Sequence, residues 1–250
     1  MTSPLTVSVV QYRALYGGVA ANVPEHVALI EDAASHGSRF VVFPELSITG
    51  YSLALLQEPQ QWITGDDRRL DPIREICRRT GITAVIGAPL AEEDGTRRLA
   101  ALGIHPEGTI DRAFKSRLHG QELELFTPGD GVKLIEVDGW TVALAICYDA
   151  AHPAHADSAA QAGADIYAVS ALYTDVESHR LGLHLGARAM DNRMFTLVAN
   201  LGGSTALGTS CGLSGFWGPD GLVMKQAAGV GSEVLTTTLR HGAIERYRAG

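Results

Sequence analysis

Cysteine is scarce in this chain of 250 residues: Cys77, Cys147 and Cys211 are the only three, and no two form a C-x-x-C pair. Three scattered thiols are too few for a disulfide framework, so a reducing compartment is expected. Basic side chains are also short, 20 Lys and Arg against 28 Asp and Glu, for a formal net charge of −8. Nucleic acid and anionic membranes both demand a basic surface, which leaves a small molecule as the expected partner. No apolar run approaches membrane-spanning length, and the opening MTSPLTVSVVQYR lacks a basic region followed by a long apolar core. A cytoplasmic protein follows as the expectation.

Several chemical signatures are missing as well. There is no H-E-x-x-H, no phosphate-binding glycine loop ahead of a helix, no low-complexity segment and no short repeat. Ser214 sits in Gly-Leu-Ser-Gly, not in a G-x-S-x-G elbow. His152 and His155 lie a helical turn apart with Asp149 nearby, but two histidines at that spacing arise often by chance. Neither metal nor cofactor is expected. No linker interrupts the chain, which reads as one domain over 1–250 with ample residues for a core.

The residues that are present alternate between strand and helix patterns. Val7 to Val10 reads as a strand; Asn22-Val23-Pro24 opens a helix closed by Gly37; Phe40 to Phe43 is a buried strand running into Pro44-Glu45. Asp71-Pro72 starts a helix ended by Gly81, and Ile82 to Ile86 follows as a strand. Pro106-Glu107-Gly108 joins two strand-like runs, Leu99 to Ile104 and Thr109 to Phe114, into an antiparallel hairpin that ends at Lys115. Asp138-Gly139 joins Val132 to Val137 and Trp140 to Ile146 in a second hairpin. The rhythm then repeats: a helix from His152-Pro153 to Gly163, a strand Asp165 to Ser170, a helix Val176 to Met194 and a strand Phe195 to Ala199. Two strand-like runs around Pro219-Asp220-Gly221 and a last one, Glu233 to Leu239, complete the pattern, while the tail from Arg240 is too polar to read as core. Two rounds of strand and helix interleaved with hairpins imply two mixed sheets packed together with helices outside, a layered α/β sandwich.

The chemistry is expected around TVALAICYDAAHPAHAD. Thr141 to Ile146 is apolar without clean alternation, as in a strand buried on both faces, and Cys147 sits at its carboxyl end before a turn and a helix. Backbone N–H groups in such a turn can lower a thiol pKa or bind an oxyanion. A lone cysteine ending an apolar strand is nonetheless more often a core thiol. Glu45 and Lys115 also fall at strand ends, where a solvated loop carboxylate and an edge-strand lysine are the ordinary readings.

Taken in order, Phe43-Pro44-Glu45, Lys115 with Arg117-Leu118, Glu122, Phe126, Pro128-Gly129 and Ile146-Cys147-Tyr148-Asp149 resemble the nitrilase, or carbon-nitrogen hydrolase, superfamily. Val10-Gln11, Asn22, Gly50-Tyr51, Gly163-Ala164-Asp165, Arg188-Ala189, Asn192, Asn200 and Ser214-Gly215 support the match, which extends over nearly the whole chain. The resemblance implies a four-layer α-β-β-α sandwich and a Glu-Lys-Cys triad on Glu45, Lys115 and Cys147. Glu122 then matches a second glutamate that orients Lys115 and the substrate. Tyr51, Tyr148 and Tyr173 are the expected substrate-binding residues, with the Tyr148 amide helping Lys115 to hold an oxyanion. A homodimer or higher homo-oligomer is implied too, and the helix carrying Leu181, Leu183, Leu185 and Met190 is the candidate for buried or interface surface.

The implied activity is hydrolysis of a non-peptide carbon-nitrogen bond in a small amide or N-carbamoyl compound, through a Cys147 thioester with release of ammonia or an amine. Tyr148-Asp149 resembles the amidase and carbamoylase branches, whereas nitrilases proper more often carry Trp and Glu after the cysteine. A nitrilase acting on a small nitrile and a catalytically inactive small-molecule-binding scaffold are the alternatives. Where many members carry Arg and Phe-Pro-Glu after the cysteine motif, this chain has Ala151, His152-Pro153 and Ala154. That leaves the pocket, and any contact of His152 or His155 with substrate, open.

Overall fold

The structure, a computed structural model, describes residues 2–248. β1 (Leu5–Gln11), β2 (Phe40–Val42) and β3 (Thr83–Ala91) run parallel, linked by α1 (Val19–Ser35) and by a passage containing α2 (Asp71–Thr80). β4 (Arg97–Ile104) and β5 (Ile110–Phe114) extend this sheet antiparallel. After a one-turn helix α3 (Glu122–Leu125), the hairpin β6 (Lys133–Val137) and β7 (Trp140–Ile146) opens a second sheet. It continues in parallel through α4 (Pro153–Gln161), β8 (Ile166–Ala171), α5 (Ser178–Asn192) and β9 (Phe195–Asn200). A small ribbon, β10 (Ser204–Thr205) with β11 (Gly208–Thr209), precedes β12 (Gly215–Trp217) and β13 (Val223–Gln226) on the second sheet. β14 (Glu233–Leu239) and α6 (His241–Arg248) close the described chain.

The first sheet has the order β14-β1-β2-β3-β4-β5 and the second β13-β12-β9-β8-β7-β6. They pack face to face, β1 on β9, β2 on β8 and β4 on β7, with α1 and α2 outside one and α4 and α5 outside the other. This is the expected four-layer α-β-β-α sandwich. Strands buried on both faces need apolar residues without alternation, and β2, β8 and β9 are buried at every position. Trp140, Trp217, Tyr12, Tyr167, Phe40 and Phe43 are the large fully buried side chains between and around the sheets.

Local rules account for most boundaries. Gly81 ends α2 in the left-handed conformation at φ 69°, where its N–H reaches Cys77 O at 2.8 Å. α1 departs from expectation, beginning at Val19 and holding Pro24 inside it. The Val19 N–H is satisfied by Gln61 Oε1 at 3.1 Å, and Asn22 binds back to Gly18 O at 2.8 Å, so the first turn is capped by contacts remote in sequence or made from within. α5 begins two residues later than expected because Thr174 and Glu177 form a capping box over a short 3-10 turn, Asp175–Glu177, and it stops at Asn192 because Arg193 turns left-handed at φ 53°. The polar tail is also more ordered than its composition suggests: α6 buries Ile244, and Arg248 donates to Ala164 O at 2.7 Å.

Candidate active site

β2, β3 and β5 run the same way, so the segments after β2 and β5 emerge at one end of the first sheet. β2 delivers Glu45, whose turn is held by Ile48 N–H on Gly87 O at 3.0 Å and by Gly87 N–H on Ser47 Oγ at 3.1 Å. β3 can approach this closely because residue 87 is glycine: a Cβ there would lie 2.2 Å from Pro44 O. His26 braces the same turn, stacking on Phe43 with ring centroids 4.3 Å apart and bonding Ser47 Oγ at 2.9 Å.

Lys115, one residue past β5, is neither solvated nor an edge guard. Its side chain and those of Glu45 and Glu122 are all 0% exposed. Lys115 Nζ donates to Glu45 Oε1 at 2.7 Å and to Glu122 Oε1 at 2.6 Å, which leaves one of its three N–H donors free. Glu122, in α3, also accepts from Tyr51 OH and from the His119 N–H, the latter at 3.0 Å on Oε2. Burial lowers the preference of Lys115 for charge, but the negative groups Glu45, Cys147 and Glu122 outweigh it and hold its pKa above the ordinary lysine range.

Burial raises the pKa of Glu45 to about 7, with Lys115 opposing the shift and Glu122 adding to it. Glu45 Oε2 is one of two buried side-chain polar atoms among the described residues that lack a hydrogen-bond partner. An orphan acceptor of this kind is costly and marks a group with work to do.

Cys147 comes from the other sheet, directly after β7. It holds φ 47°, a left-handed conformation that a side-chain-bearing residue rarely adopts, at the start of the 3-10 turn Cys147–Ala151. The leading N–H groups of such a turn, that of Tyr148 among them, have no partner within it. The thiol points at Leu172 O, 3.6 Å away. Burial first, then the charge of Glu45, pushes its pKa well above that of a free cysteine, with Lys115 pulling the other way. The resting group is therefore a thiol beside a carboxylate of near-neutral pKa.

A small pocket of about 70 Å³ opens onto these groups. Its wall includes Glu45, Cys147, Tyr51, Tyr148 and Tyr173, together with Ala151. The sequence-derived candidates thus converge on one site, with Lys115 and Glu122 directly behind Glu45. Tyr148 is 42% exposed at the mouth, and Tyr173 OH pairs with His184 Nδ1 at 3.0 Å. His155 does not reach the pocket: it is buried against Tyr167 OH, 2.9 Å from Nδ1. His152 packs edge-on against Tyr148, centroids 4.8 Å apart, without lining the cavity, and Ala154 lies outside it too. Among the described residues no group of three or more His, Cys, Asp or Glu is arranged to hold a metal, and no helix is long and apolar enough to cross a membrane.

The sequence model of the carbon-nitrogen hydrolase family matches residues 6–249. The chain belongs to this family, part of the nitrilase superfamily. Among curated relatives, a nitrilase of Pyrococcus abyssi is 30% identical over 178 residues, 69% of this chain and 65% of the relative. A formamidase of Pseudomonas syringae pv. tomato is 29% identical over 215 residues, 85% of this chain and 63% of the relative. The matches thus span a little under two thirds of those relatives' length. Among solved structures, an amidase from Nesterenkonia sp. superposes with a TM-score of 0.87 at 25% identity, covering 100% of this chain and 95% of that one.

Sequence reasoning missed one wall of the pocket. Glu177, Arg180 and His184 come from the turn before α5 and its first two turns, at spacings of three and four that put them on one helical face. The same spacing in the sequence was a usable signal, but nothing in it says which face of α5 looks toward Cys147. Asp149 was read as part of the Cys-Tyr-Asp motif and as a neighbour of the His152 and His155 pair, with no role of its own in the site. Its carboxylate in fact accepts three backbone N–H groups at the base of the site.

Proposed function

We propose that this chain is an amidase-type hydrolase that cleaves the carbon-nitrogen bond of a small amide or N-carbamoyl compound, with Cys147 as nucleophile. The observation that carries the reading is the unpartnered Oε2 of Glu45, whose pKa is held near 7, beside a thiol at a strained strand end. Rotation of the thiol from Leu172 O toward that oxygen lets Glu45 take its proton. The thiolate attacks the carbonyl carbon, and the new oxyanion is met by the free N–H of Lys115 and the leading amides of the Cys147 turn. Protonated Glu45 returns its proton to the departing nitrogen, so ammonia or an amine leaves and a thioester remains. Water, deprotonated by the same carboxylate, then releases the acid and restores the thiol. Glu122 and Tyr51 orient Lys115, and Tyr148 and Tyr173 flank the substrate.

The cavity favours few heavy atoms. A single water needs ~10–15 Å³ measured in this way, so about 70 Å³ suits a short acyl group and not a peptide. A nitrile is the alternative substrate for the same thiolate, and an inactive binding scaffold is the alternative function. The test is ammonia release from aliphatic amides, ω-amides, N-carbamoyl amino acids and nitriles, with Cys147→Ala alongside. Turnover of an amide or carbamoyl compound that disappears in the variant is the expected result. Release from nitriles alone would favour the nitrilase reading, and none from any class, with Cys147 also unreactive to alkylation, would favour the scaffold.

We further propose that the chain works as a homodimer. Leu183 and Met190, seven residues apart on α5, are 68% and 46% exposed, and Leu222, Val223 and Met224 are exposed beside them. Gly186 and Gly221 bring the two segments into backbone proximity, and Met190 lies against Gly221, so the outer side of α5 adjoins the exposed apolar run that begins at Leu222.

A further inference from the structure

One buried acid beneath the site takes no part in the chemistry described above. Asp149 is 1% exposed and does not line the pocket. Its Oδ1 accepts the N–H of Ser116 at 3.1 Å and of Arg117 at 2.8 Å, and its Oδ2 accepts the N–H of Ile146 at 3.2 Å. Ser116 follows Lys115 directly, and Ile146 directly precedes Cys147. The first backbone leaves β5 in one sheet; the second ends β7 in the other.

We infer that Asp149 is a positioning residue that sets the distance between the Lys115 ammonium and the Cys147 sulfur. This rests on the reading of Cys147 as nucleophile and Lys115 as oxyanion partner. Within a sheet, ladder hydrogen bonds fix the spacing of strands, whereas packed sheets are held mainly by their interdigitating side chains. The reacting groups are divided across that division, Glu45 and Lys115 on one side and Cys147 on the other. An ionised carboxylate offers two acceptor oxygens and forms charge-assisted bonds stronger than neutral ones. One such group bonded to both backbones, each within a residue or two of a reacting side chain, makes their separation a property of a single rigid unit. It also helps to hold the strained φ of Cys147, a conformation that persists only where its surroundings enforce it. His155, its Nε2 4.0 Å from Asp149 Oδ2, and Tyr167 behind it back the carboxylate from α4 and β8.

Asp149→Asn is the decisive variant. Asparagine has nearly the same shape but a single acceptor oxygen, and its NH₂ faces a backbone donor. A displacement of the order of 1 Å is then expected to lower kcat about 100-fold, with KM changed by no more than about threefold. The second-order rate of Cys147 alkylation by iodoacetamide, in which the sulfur–carbon bond forms as iodide leaves, is expected to fall with it. Alkylation of Cys77 and Cys211 is subtracted with Cys147→Ala. Both rates are taken per folded molecule, so a variant merely less stable keeps native values, and that result overturns the proposal. If the asparagine variant does not fold, Asp149→Glu, which keeps the charge one methylene further out, decides in the same way. Failure of both to fold overturns it as well, since the carboxylate would then serve the fold as a whole. Because alkylation needs no turnover, it reads the Asp149 variants even where the amide panel fails, so failure of the functional reading and failure of this inference are told apart.

Discussion

Two carboxylates and one ammonium share a space without solvent, and Glu45 carries the imbalance. Burial first, and the second negative charge of Glu122 after it, make the group with an unpartnered oxygen hold its proton more tightly, to about 7, against the pull of Lys115. As the base it must be ionised, and kcat/KM is expected to climb with pH through a midpoint near 7. Lys115, held above its ordinary range, keeps its charge throughout. A profile already flat below pH ~6 would remove Glu45 from that role. Stability runs the other way. Between the ordinary glutamate value of 4.5 and about 7 the folded state binds more protons than the unfolded, so stability falls as pH rises through this window. Glu45→Gln, which leaves Lys115 and Glu122 as a balanced pair, is expected to lose the ascending limb and at least ~100-fold in rate while raising Tm above pH 7. At this scale the residue types were readable and their environment was not. A glutamate after an apolar strand and a lysine after a hairpin are ordinarily solvated; only the folding of α3 over them, with Tyr51 against Glu122, removes the water. The left-handed φ of Cys147 left no mark on the sequence either, since that backbone conformation announces itself only where glycine or asparagine takes it.

At the scale of elements the strands and helices were largely legible because their signals are local. Asp71-Pro72 and Gly81 bracket α2, and Asp138-Gly139 turns the β6–β7 hairpin, as the spacing predicts. The start of α1 was not legible, since its first N–H is capped by Gln61, 42 residues along the chain. The β3–β4 hairpin was missed for a different reason: Glu92, Glu93 and Asp94 dilute the apolar pattern on the approach to Gly95. The contact that matters most for the site is also between elements. Gly87 of β3 has the Glu45 turn against it, and a Cβ there would sit 2.2 Å from Pro44 O and 2.4 Å from Leu46 N. Backbone cannot yield as a side-chain tip can. Gly87→Ala is therefore expected to push Glu45 away from Cys147 and lower kcat about 100-fold. Gly103→Ala, in β4, is the matched control: its Cβ would meet Ile135 Cδ1 at an ordinary 3.6 Å and activity should stay native. Equal rates for the two variants would mean that the turn tolerates displacement.

For the whole molecule, the pairing of distant segments lies beyond local pattern. β14 returns past the entire second sheet to lie antiparallel to β1, Leu5 opposite Leu239 and Gln11 opposite Glu233, so the first sheet is built from both ends of the described chain. Composition announced a strand at Glu233 to Leu239 but could not say which edge it covers. The apolar side chains of α5 had a similar ambiguity, and the fold divides them: Leu181 and Leu185 face the core at 0% exposure, while Leu183 and Met190 face outward. Under the dimer proposal the exposed Leu183 and Met190 would meet the partner from the same helix that carries Arg180 and His184 to the pocket wall. Light scattering of the native protein is expected to give twice the chain mass. Leu183→Glu with Met190→Glu is expected to give the single chain, because burying two carboxylates against apolar neighbours costs far more than the surface gains. If α5 is braced by its partner, the monomer should also show a raised KM, as Arg180 and His184 lose their fixed place on the wall, with Cys147 alkylation changed little. A native protein that scatters as one chain would end the dimer proposal, and a double variant that stays paired would move the interface elsewhere.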